Sequence, residues 1–595
     1  MRAFADQSSL PAPCGGPVFG LRGGVACEHH LAAQAGLSVL AEGGNAVDAA
    51  VAAACVEGVV NPHMFTLGGE CPMLVYLAER DQVLAVNGNT MAPALATPAC
   101  YRGRGVEVIP GAGILSAGVP AAVGALLTAL EQFGSLPLET VLEPARLLAA
   151  EGFVVHEGLV GMPGFGIRDN ATRFAEQWTA TAAIYLHADG TAPAVGEVLT
   201  NPALARTLGA LADAAKSTAG REAGIRAALD LFYRGDMARA IADHVREREG
   251  LITMADLAAF TTLVETPRHV DFQGTRVFKC GPWSQGPVTL QVLRLLEGFD
   301  LAGLGHNSAG ALHLYIEALK LAMADREQYY GDPELVDVPM DALLGETYTA
   351  ARRTLLDPER ASLSFRPGDP SRGLPLLAPE QILAPSDWGH GTVHCAAADR
   401  HGNLAALTPS GGWIMGNEVV AALGFPLTTR LQTCSLDSRR PNVLAPRKRP
   451  RTTLSPCLAV CRGEGARHAR QGWKMAYGTM GGDSQDQWTS QFFLNMHVFG
   501  LSLMEAIEAP KITIDHVPGS FFPHGYAPGQ VRVEGRLDET VCAKLARRGH
   551  IVVREGDYSA GYICAVRRFE SGVIEAGADP RGFRGRIFPA LALAW

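Results

Sequence analysis

From Thr392 the chain reads Thr-Val-His-Cys-Ala-Ala-Ala-Asp, passes through Arg-His-Gly-Asn, and returns along Leu404 to Thr408. This pattern predicts a β-hairpin closed by a tight Gly-Asn turn. Small or apolar residues occupy both faces of both strands, so neither face suits water. Such a hairpin needs a layer on each side, which points to a sheet sandwich covered by helices. With 595 residues, 47% of them hydrophobic, the chain can bury a core larger than one ordinary domain uses. It contains no internal repeat and no low-complexity tract.

Other segments supply the covering layers. The run HHLAAQAGLSVLAEGGN predicts a helix closed by Gly43-Gly44. Asn45 is then placed to cap a second helix, with Asp48 in a capping-box position. This block ends at NPHMFTLGGECPMLVYL, a Gly-rich turn entering a strand. A third helix is expected in SAGALHLYIEALKLAMADREQYYGDP, where Leu312, Tyr315, Ile316, Leu319 and Met323 keep helical spacing and Gly331 and Pro333 mark the end. Residues 200 to 260, Ala/Leu-rich with interleaved charges, read as a helical subdomain. A Pro/Arg-rich connection runs from Gly424 to Pro456.

Charge and composition exclude several classes. The formal net charge of -9 is small for this length, and nothing favours a nucleic-acid partner. The start, MRAFADQSSLPAPCGG, has no apolar run of the kind a signal peptide needs. The most apolar stretch, Ala46 to Val60, is broken by Asp48 and Glu57 and is too short to span a bilayer. A cytoplasmic protein with no membrane partner is the expectation. The 12 cysteines include no CxxC, and the nearest pair, Cys457 and Cys461, falls on an expected strand. They read as small buried hydrophobes rather than as a disulfide framework.

Chemistry is concentrated after residue 390. A threonine hydroxyl is a poor nucleophile unless a base takes its proton, and a chain-terminal threonine carries that base as its own α-amine. Generating one requires a cut at the preceding bond. Glycine there offers least hindrance and tolerates unusual dihedrals, so Gly391-Thr392 qualifies, although the dipeptide alone also fits an ordinary strand start. Gly478-Thr-Met-Gly-Gly-Asp483 has adjacent glycines able to aim backbone N–H groups at an oxyanion. Its plainer reading is a strand-to-helix turn, and no P-loop lysine follows. The basic run Arg447 to Arg451 lacks interleaved aromatics and reads as a solvated loop or an anion site, with Thr452 and Thr453 as hydroxyl donors. His390 and His394 flank the proposed cut without an acidic or thiol companion, so no metal is expected. The pair His29-His30 reads as solvent-facing or as a helix cap.

Taken in order, these segments resemble the gamma-glutamyltranspeptidase family. The matching runs are GGVACEHHLAAQAGLSVLAEGGNAVDAAVAA, NPHMFTLGGECPMLVY, GILSAGVPAAVGAL, LEPARLLAAEGFVV and HLYIEALKLAMADREQYYGDP. After the proposed cut they are TVH, DRHGN, KRPRTTLSP, GTMGGD and GADPR. The resemblance implies an α+β fold, a four-layer αββα N-terminal-nucleophile hydrolase sandwich with a helical subdomain in the large subunit. It implies a precursor that matures into residues 1–391 and 392–595, two subunits intertwined in one unit, with a homodimer of that pair as one assembly. Thr392 takes the nucleophile position, Ser410 that of a supporting hydroxyl, and Gly481 and Gly482 those of the oxyanion glycines. Thr452 and Thr453 match the pair near the substrate carboxylate. No cofactor is implied.

Departures from the family pattern bear on the substrate. Asn89 stands where the family has a carboxylate-gripping arginine. Gly412, Arg430 and Thr433 stand where acidic and amide residues receive a glutamyl amine. A dry site would then set an ammonium beside a cation, unfavourable by on the order of a few kcal/mol. Arg430 suits a substrate carboxylate instead, through a bidentate contact. The connection from Cys434 to Arg447 is also short, so the loop covering the site in glutathione-processing members is expected to be missing. This pattern is similar to the oxamate amidohydrolase and cephalosporin-acylase-like subgroup. The expected reaction is hydrolysis of a small carboxylate-bearing amide, with oxamate the leading candidate. The alternatives are a glutathione-type gamma-glutamyl substrate, or an unprocessed homologue that only binds a ligand or acts as a scaffold.

Overall fold

A computed structural model of the chain describes residues 16–370, 391–469, 471–581 and 590–595. The expected hairpin forms, with strands Cys395–Asp399 and Leu404–Leu407 paired antiparallel. Its turn is closed by Asp399, whose Oδ1 accepts from the backbone of His401 and Asn403 at 2.8 and 3.0 Å.

The hairpin lies at the centre of a seven-stranded sheet. Cys395–Asp399 pairs on its other side with Gly23–Cys27, and Leu404–Leu407 pairs with Met73–Leu77. Leu591–Ala594 lies at one edge, with Gln82–Asn87 and Leu263–Glu265 at the other. A second seven-stranded sheet faces it, ordered Val18–Gly20, Ile574–Ala578, Cys564–Phe569, Trp473–Gly478, Cys457–Cys461, Thr275–Lys279 and Arg268–Phe272. Each sheet contains strands from before and from after Gly391.

Both faces of the hairpin are covered, as its composition requires. Ala396, Ala398, Leu404 and Ala406 point into the gap between sheets, among Leu458, Ala476, Val566 and Ala576. Cys395, Ala397, Ala405 and Leu407 point outward into a helix layer that includes Ala46–Val60. Small side chains let the layers approach to roughly 10 Å, and each fully buried leucine contributes about 1.5–3 kcal/mol. Helices Pro287–Leu296, Ala309–Tyr329 and Gln485–His497 lie on the far side of the second sheet. The architecture is αββα.

Local signals behave as the residues dictate. The Asn45 side chain accepts from Val47 and Asp48 N–H, and Asp48 Oδ2 accepts from Asn45 N–H at 2.9 Å. Helix Ala309–Tyr329 is buried on every side except at Gly310. Its charges are therefore paired inside the protein, as in Lys320–Glu317 at 2.7 Å and Asp325–Arg352 at 3.2 Å. The helical subdomain comprises Pro202–Lys216, Arg221–Tyr233, Asp236–Glu247 and Met254–Ala259. No helix among the described residues is long and apolar enough to cross a membrane.

Candidate active site

Thr392 lies just ahead of strand Cys395–Asp399, in an isolated antiparallel bridge with Ser410. It is buried, and its Oγ1 is 3.1 Å from Ser410 Oγ. The same serine oxygen donates to the Gly391 carbonyl at 2.6 Å, while Arg430 Nη2 donates to it at 2.8 Å. Trp413 Nε1 also reaches the Gly391 carbonyl, at 2.8 Å, and shares its proton with Met64 O at 2.9 Å. The hydroxyl, the bond before it and two donors on that bond's carbonyl thus occupy one small volume.

Backbone pairing fixes Ser410. Glu70 N–H donates to Ser410 O at 2.8 Å, and Ser410 N–H donates to Glu70 O at 2.9 Å. Gly411 follows with φ +77, and a Cβ there would come within 2.3 Å of Glu70 Oε2. Only glycine leaves room for that carboxylate.

Arg430 departs from its expected role. Its Nε and Nη2 lie 3.2 and 3.1 Å from Glu70 Oε2, and its guanidinium lies against the rings of Trp413 and Phe521, which touch each other. Both charged groups are buried. Burial pushes the Glu70 carboxyl upward, opposed by Arg430 and by the Thr428 hydroxyl bonded to it. Of the Arg430 side-chain nitrogens, Nη1 alone lacks a hydrogen-bond partner among the described residues. The cation expected to face a substrate carboxylate already has an internal one, because Glu70 comes from the distant Gly-rich turn.

A second group forms around the Gly481-Gly482 turn, which carries strand Trp473–Gly478 into helix Gln485–His497. Gly481 has φ +112, and a Cβ would meet the Trp488 ring at 2.5 Å. Gln285 joins this turn to Thr452, since its Nε2 donates to Gly482 O at 3.1 Å and its backbone N–H to Thr452 O at 2.9 Å. Thr453 Oγ1 is buried without a hydrogen-bond partner among the described residues. Asn89 bonds through Nδ2 to Pro450 O, and its Oδ1 has no partner there.

Of the basic run only Arg447 is exposed. Lys448, Arg449 and Arg451 are all buried. Arg449 spans Asn89 O at 2.8 Å and Thr261 O at 2.6 Å, and Lys448 donates to Pro441 O. Arg451 pairs with Glu327 at 2.8 Å and donates to Ser520 Oγ at 3.2 Å, leaving its Nε without a partner among the described residues. Carbonyls and carboxylates from other segments replace water around these cations. Arg451 also lines a cavity of about 110 Å³ with Glu327, Thr433, Arg440, Asn442 and Ser520.

His394 Nδ1 contacts Thr408 Oγ1 at 3.0 Å, and burial pulls the ring down to about 3, so it is neutral. His390 lies outside the described residues. His29 caps its helix by accepting from Leu31 N–H, while His30 is exposed. Two buried triads, Cys27–Glu57–Cys395 and His313–Glu317–His550, bring possible ligand atoms within 4.8 Å of one another. In the second, Glu317 is engaged by Lys320 and Arg366, and His313 contacts His550 at 2.8 Å. In the first, burial raises both thiols, while Glu57 accepts from His29 N–H and Asn61.

The sequence reading missed Glu70, Trp413, Gln285 and Phe521. Glu70 carried a signal, as an acid inside a Gly-rich apolar turn. Trp413 directly follows Gly411-Gly412. Gln285 and Phe521 carried none.

The family model described as gamma-glutamyltranspeptidase matches residues 32–587. The glutathione hydrolase-like YwrD proenzyme of Bacillus subtilis (strain 168) is 32% identical over 569 residues, covering 95% of this chain and 98% of that protein. The oxamate amidohydrolase proenzyme of Klebsiella pneumoniae subsp. pneumoniae is 29% identical over 569 residues, covering 93% and 96%. The crystal structure of cephalosporin acylase from Bacillus halodurans aligns with TM-score 0.83 at 28% identity, covering 100% of this chain and 99% of that one.

Proposed function

This chain belongs to the gamma-glutamyltranspeptidase family and is a hydrolase of that family, and from that premise we propose that it cuts itself between Gly391 and Thr392 and then hydrolyses small amides bearing a carboxylate. The observation that carries the reading is the Thr392 hydroxyl, 3.1 Å from Ser410 Oγ beside a Gly391 carbonyl already held by two donors.

The cut frees the Thr392 α-amine, which becomes the base for its own hydroxyl. Thr392 Oγ then attacks the substrate carbonyl, and the backbone of Gly481 and Gly482 takes the oxyanion. The amine or ammonia departs, and water releases the acyl group. Both sheets are built from strands of the two pieces, hydrogen-bonded to one another, which supports a processed pair that stays together.

For the anionic end, Arg451 and Arg440 at the cavity, with Thr452 and Thr453 leading from it, serve better than Arg430. Arg430 and Arg451 each have an internal carboxylate partner and one nitrogen without a partner among the described residues, but Arg451 and Arg440 line the cavity. Oxamate is the simplest candidate, supported by the relative of that name. Glutathione is the competing candidate, supported by the glutathione hydrolase-like relative. Against it, Gly412 and Thr433 offer no acid to a glutamyl amine.

The test pairs intact mass with turnover. Wild type should yield a fragment beginning at Thr392, and Thr392→Ala should remain one polypeptide. Ammonia release from oxamate is compared with cleavage of a gamma-glutamyl anilide. Faster anilide cleavage overturns the substrate reading. Hydrolysis by uncut protein overturns the mechanism, and a wild type that stays single and inactive supports a scaffold.

A further inference from the structure

We infer that the Gly391–Thr392 bond is cut in an oxyanion site of its own, built from Ser410 Oγ and Trp413 Nε1, in which Arg430 acts as a positioning residue held by Glu70. The inference rests on the self-cleavage proposed above and assigns the groups that drive it.

Proton accounting around Ser410 has one solution. Arg430 can only donate, so Ser410 Oγ accepts from it at 2.8 Å. A carbonyl can only accept, so the single Ser410 proton goes to Gly391 O at 2.6 Å. A hydroxyl has one proton and two lone pairs. The remaining contact, Thr392 Oγ1 at 3.1 Å, must therefore be a donation from Thr392 to Ser410. This leaves the lone pairs of Thr392 Oγ free for the neighbouring Gly391 carbon.

The Gly391 carbonyl is equally committed. Its two lone pairs are met by Ser410 Oγ at 2.6 Å and Trp413 Nε1 at 2.8 Å. No lone pair is left for the backbone N–H groups of Gly481 and Gly482, which on this assignment serve only the external substrate. Trp413 touches the reacting carbonyl and is therefore catalytic for the cut. Arg430 reaches it only through Ser410. Its guanidinium is fixed by Glu70 at 3.1 Å and by the rings of Trp413 and Phe521. Excluding water strengthens each of these contacts as negative charge develops.

The step balances. Thr392 Oγ forms a bond to the Gly391 carbon, and the carbonyl π pair moves to Gly391 O. Ser410 takes the Thr392 proton as it yields its own to that oxygen. Collapse breaks the C–N bond, and the proton returns through Ser410 to the departing Thr392 nitrogen. The product is an ester between Gly391 and Thr392 Oγ with a free α-amine. Water hydrolyses that ester to a Gly391 carboxylate and the Thr392 hydroxyl.

The experiment follows first-order conversion of precursor to fragments by denaturing electrophoresis and intact mass, with thermal melting to confirm folding. Trp413→Phe removes one donor and should slow cutting by about 100-fold or more. Ser410→Ala should block cutting, while Ser410→Thr, which keeps the hydroxyl, should restore it. Arg430→Gln should slow cutting and Arg430→Lys should recover part of the rate, a rescue that a purely structural role would not produce. Folded Trp413→Phe and Ser410→Ala precursors that cut at the wild-type rate would overturn the inference and leave self-cleavage standing. A wild type that never cuts would instead remove the reading beneath it.

Discussion

Glu70 and Arg430 are 360 positions apart in the chain, yet their carboxylate and guanidinium meet at 3.1 Å. Their side chains are 0% and 1% exposed, so water screens neither charge. The pair joins the Gly-rich turn before one strand to the loop after the central hairpin. It also ties down the guanidinium whose Nη2 donates to Ser410, the hydroxyl next to Thr392. Glu70 reaches it only because Gly411 has no side chain.

Removing one partner should be costly. Glu70→Ala leaves a buried cation without its counter-charge, and the expected loss is about 3–5 kcal/mol. Urea denaturation of the Thr392→Ala precursor, with and without Glu70→Ala, measures it. A loss under about 1 kcal/mol would mean that solvent reaches the guanidinium.

Gly481→Ala should separate the two reactions. The new Cβ would approach the Trp488 ring to 2.5 Å from a backbone at φ +112, displacing the turn. Amide hydrolysis is expected to fall by about 100-fold or more. Self-cleavage should continue, because Ser410 and Trp413 already occupy the Gly391 carbonyl. Single-turnover cutting and steady-state kcat, measured on the same preparation, check both halves.

The His394 ring gives a pH dependence with a definite sign. Burial, with a smaller contribution from Lys279, lowers it from 6.5 to about 3 in the folded protein. Between those values the unfolded chain binds a proton that the folded chain does not. Stability from this group is therefore complete above pH 6.5 and is lost as pH falls toward 3. Relative to His394→Asn, the wild type should lose about 1.4 kcal/mol per pH unit between about pH 6 and 4. Denaturant titrations at several pH values test this, and parallel curves would contradict it.

Arg440→Gln addresses substrate choice. Loss of one charge-assisted contact is expected to raise KM for a carboxylate-bearing amide by about 10-fold or more, with a smaller change in kcat. The uncharged carboxamide counterpart should be much less affected. Equal effects on both compounds would remove the cavity from the substrate path.

Much of the architecture is legible in the amino-acid sequence. A hairpin apolar on both faces can only be buried twice, and Asn45, Asp48 and the Gly-Asn turn act through neighbours a few residues away. The place of the Gly391-Thr392 bond at the head of that hairpin was legible in the residues, whereas the roles expected of Thr392 and Ser410 came from the resemblance of ordered motifs. The basic run shows the limit. Its charges suggested a solvated loop or an anion site, and Lys448, Arg449 and Arg451 prove to be buried against Pro441, Asn89, Thr261 and Glu327.

Periodicity, capping and turn residues act over one or two turns of chain, so the strands, helices and their layering could be read from the order of amino acids alone. Which charge meets which, and which hydroxyl proton points where, was decided only when the layers closed. Arg430 is neutralised, and Trp413 reaches the Gly391 carbonyl, because packing brings remote segments within 3 Å or so of one another. Hydrogen bonds and ion pairs weaken over about that distance, and separation along the chain says nothing about separation in space.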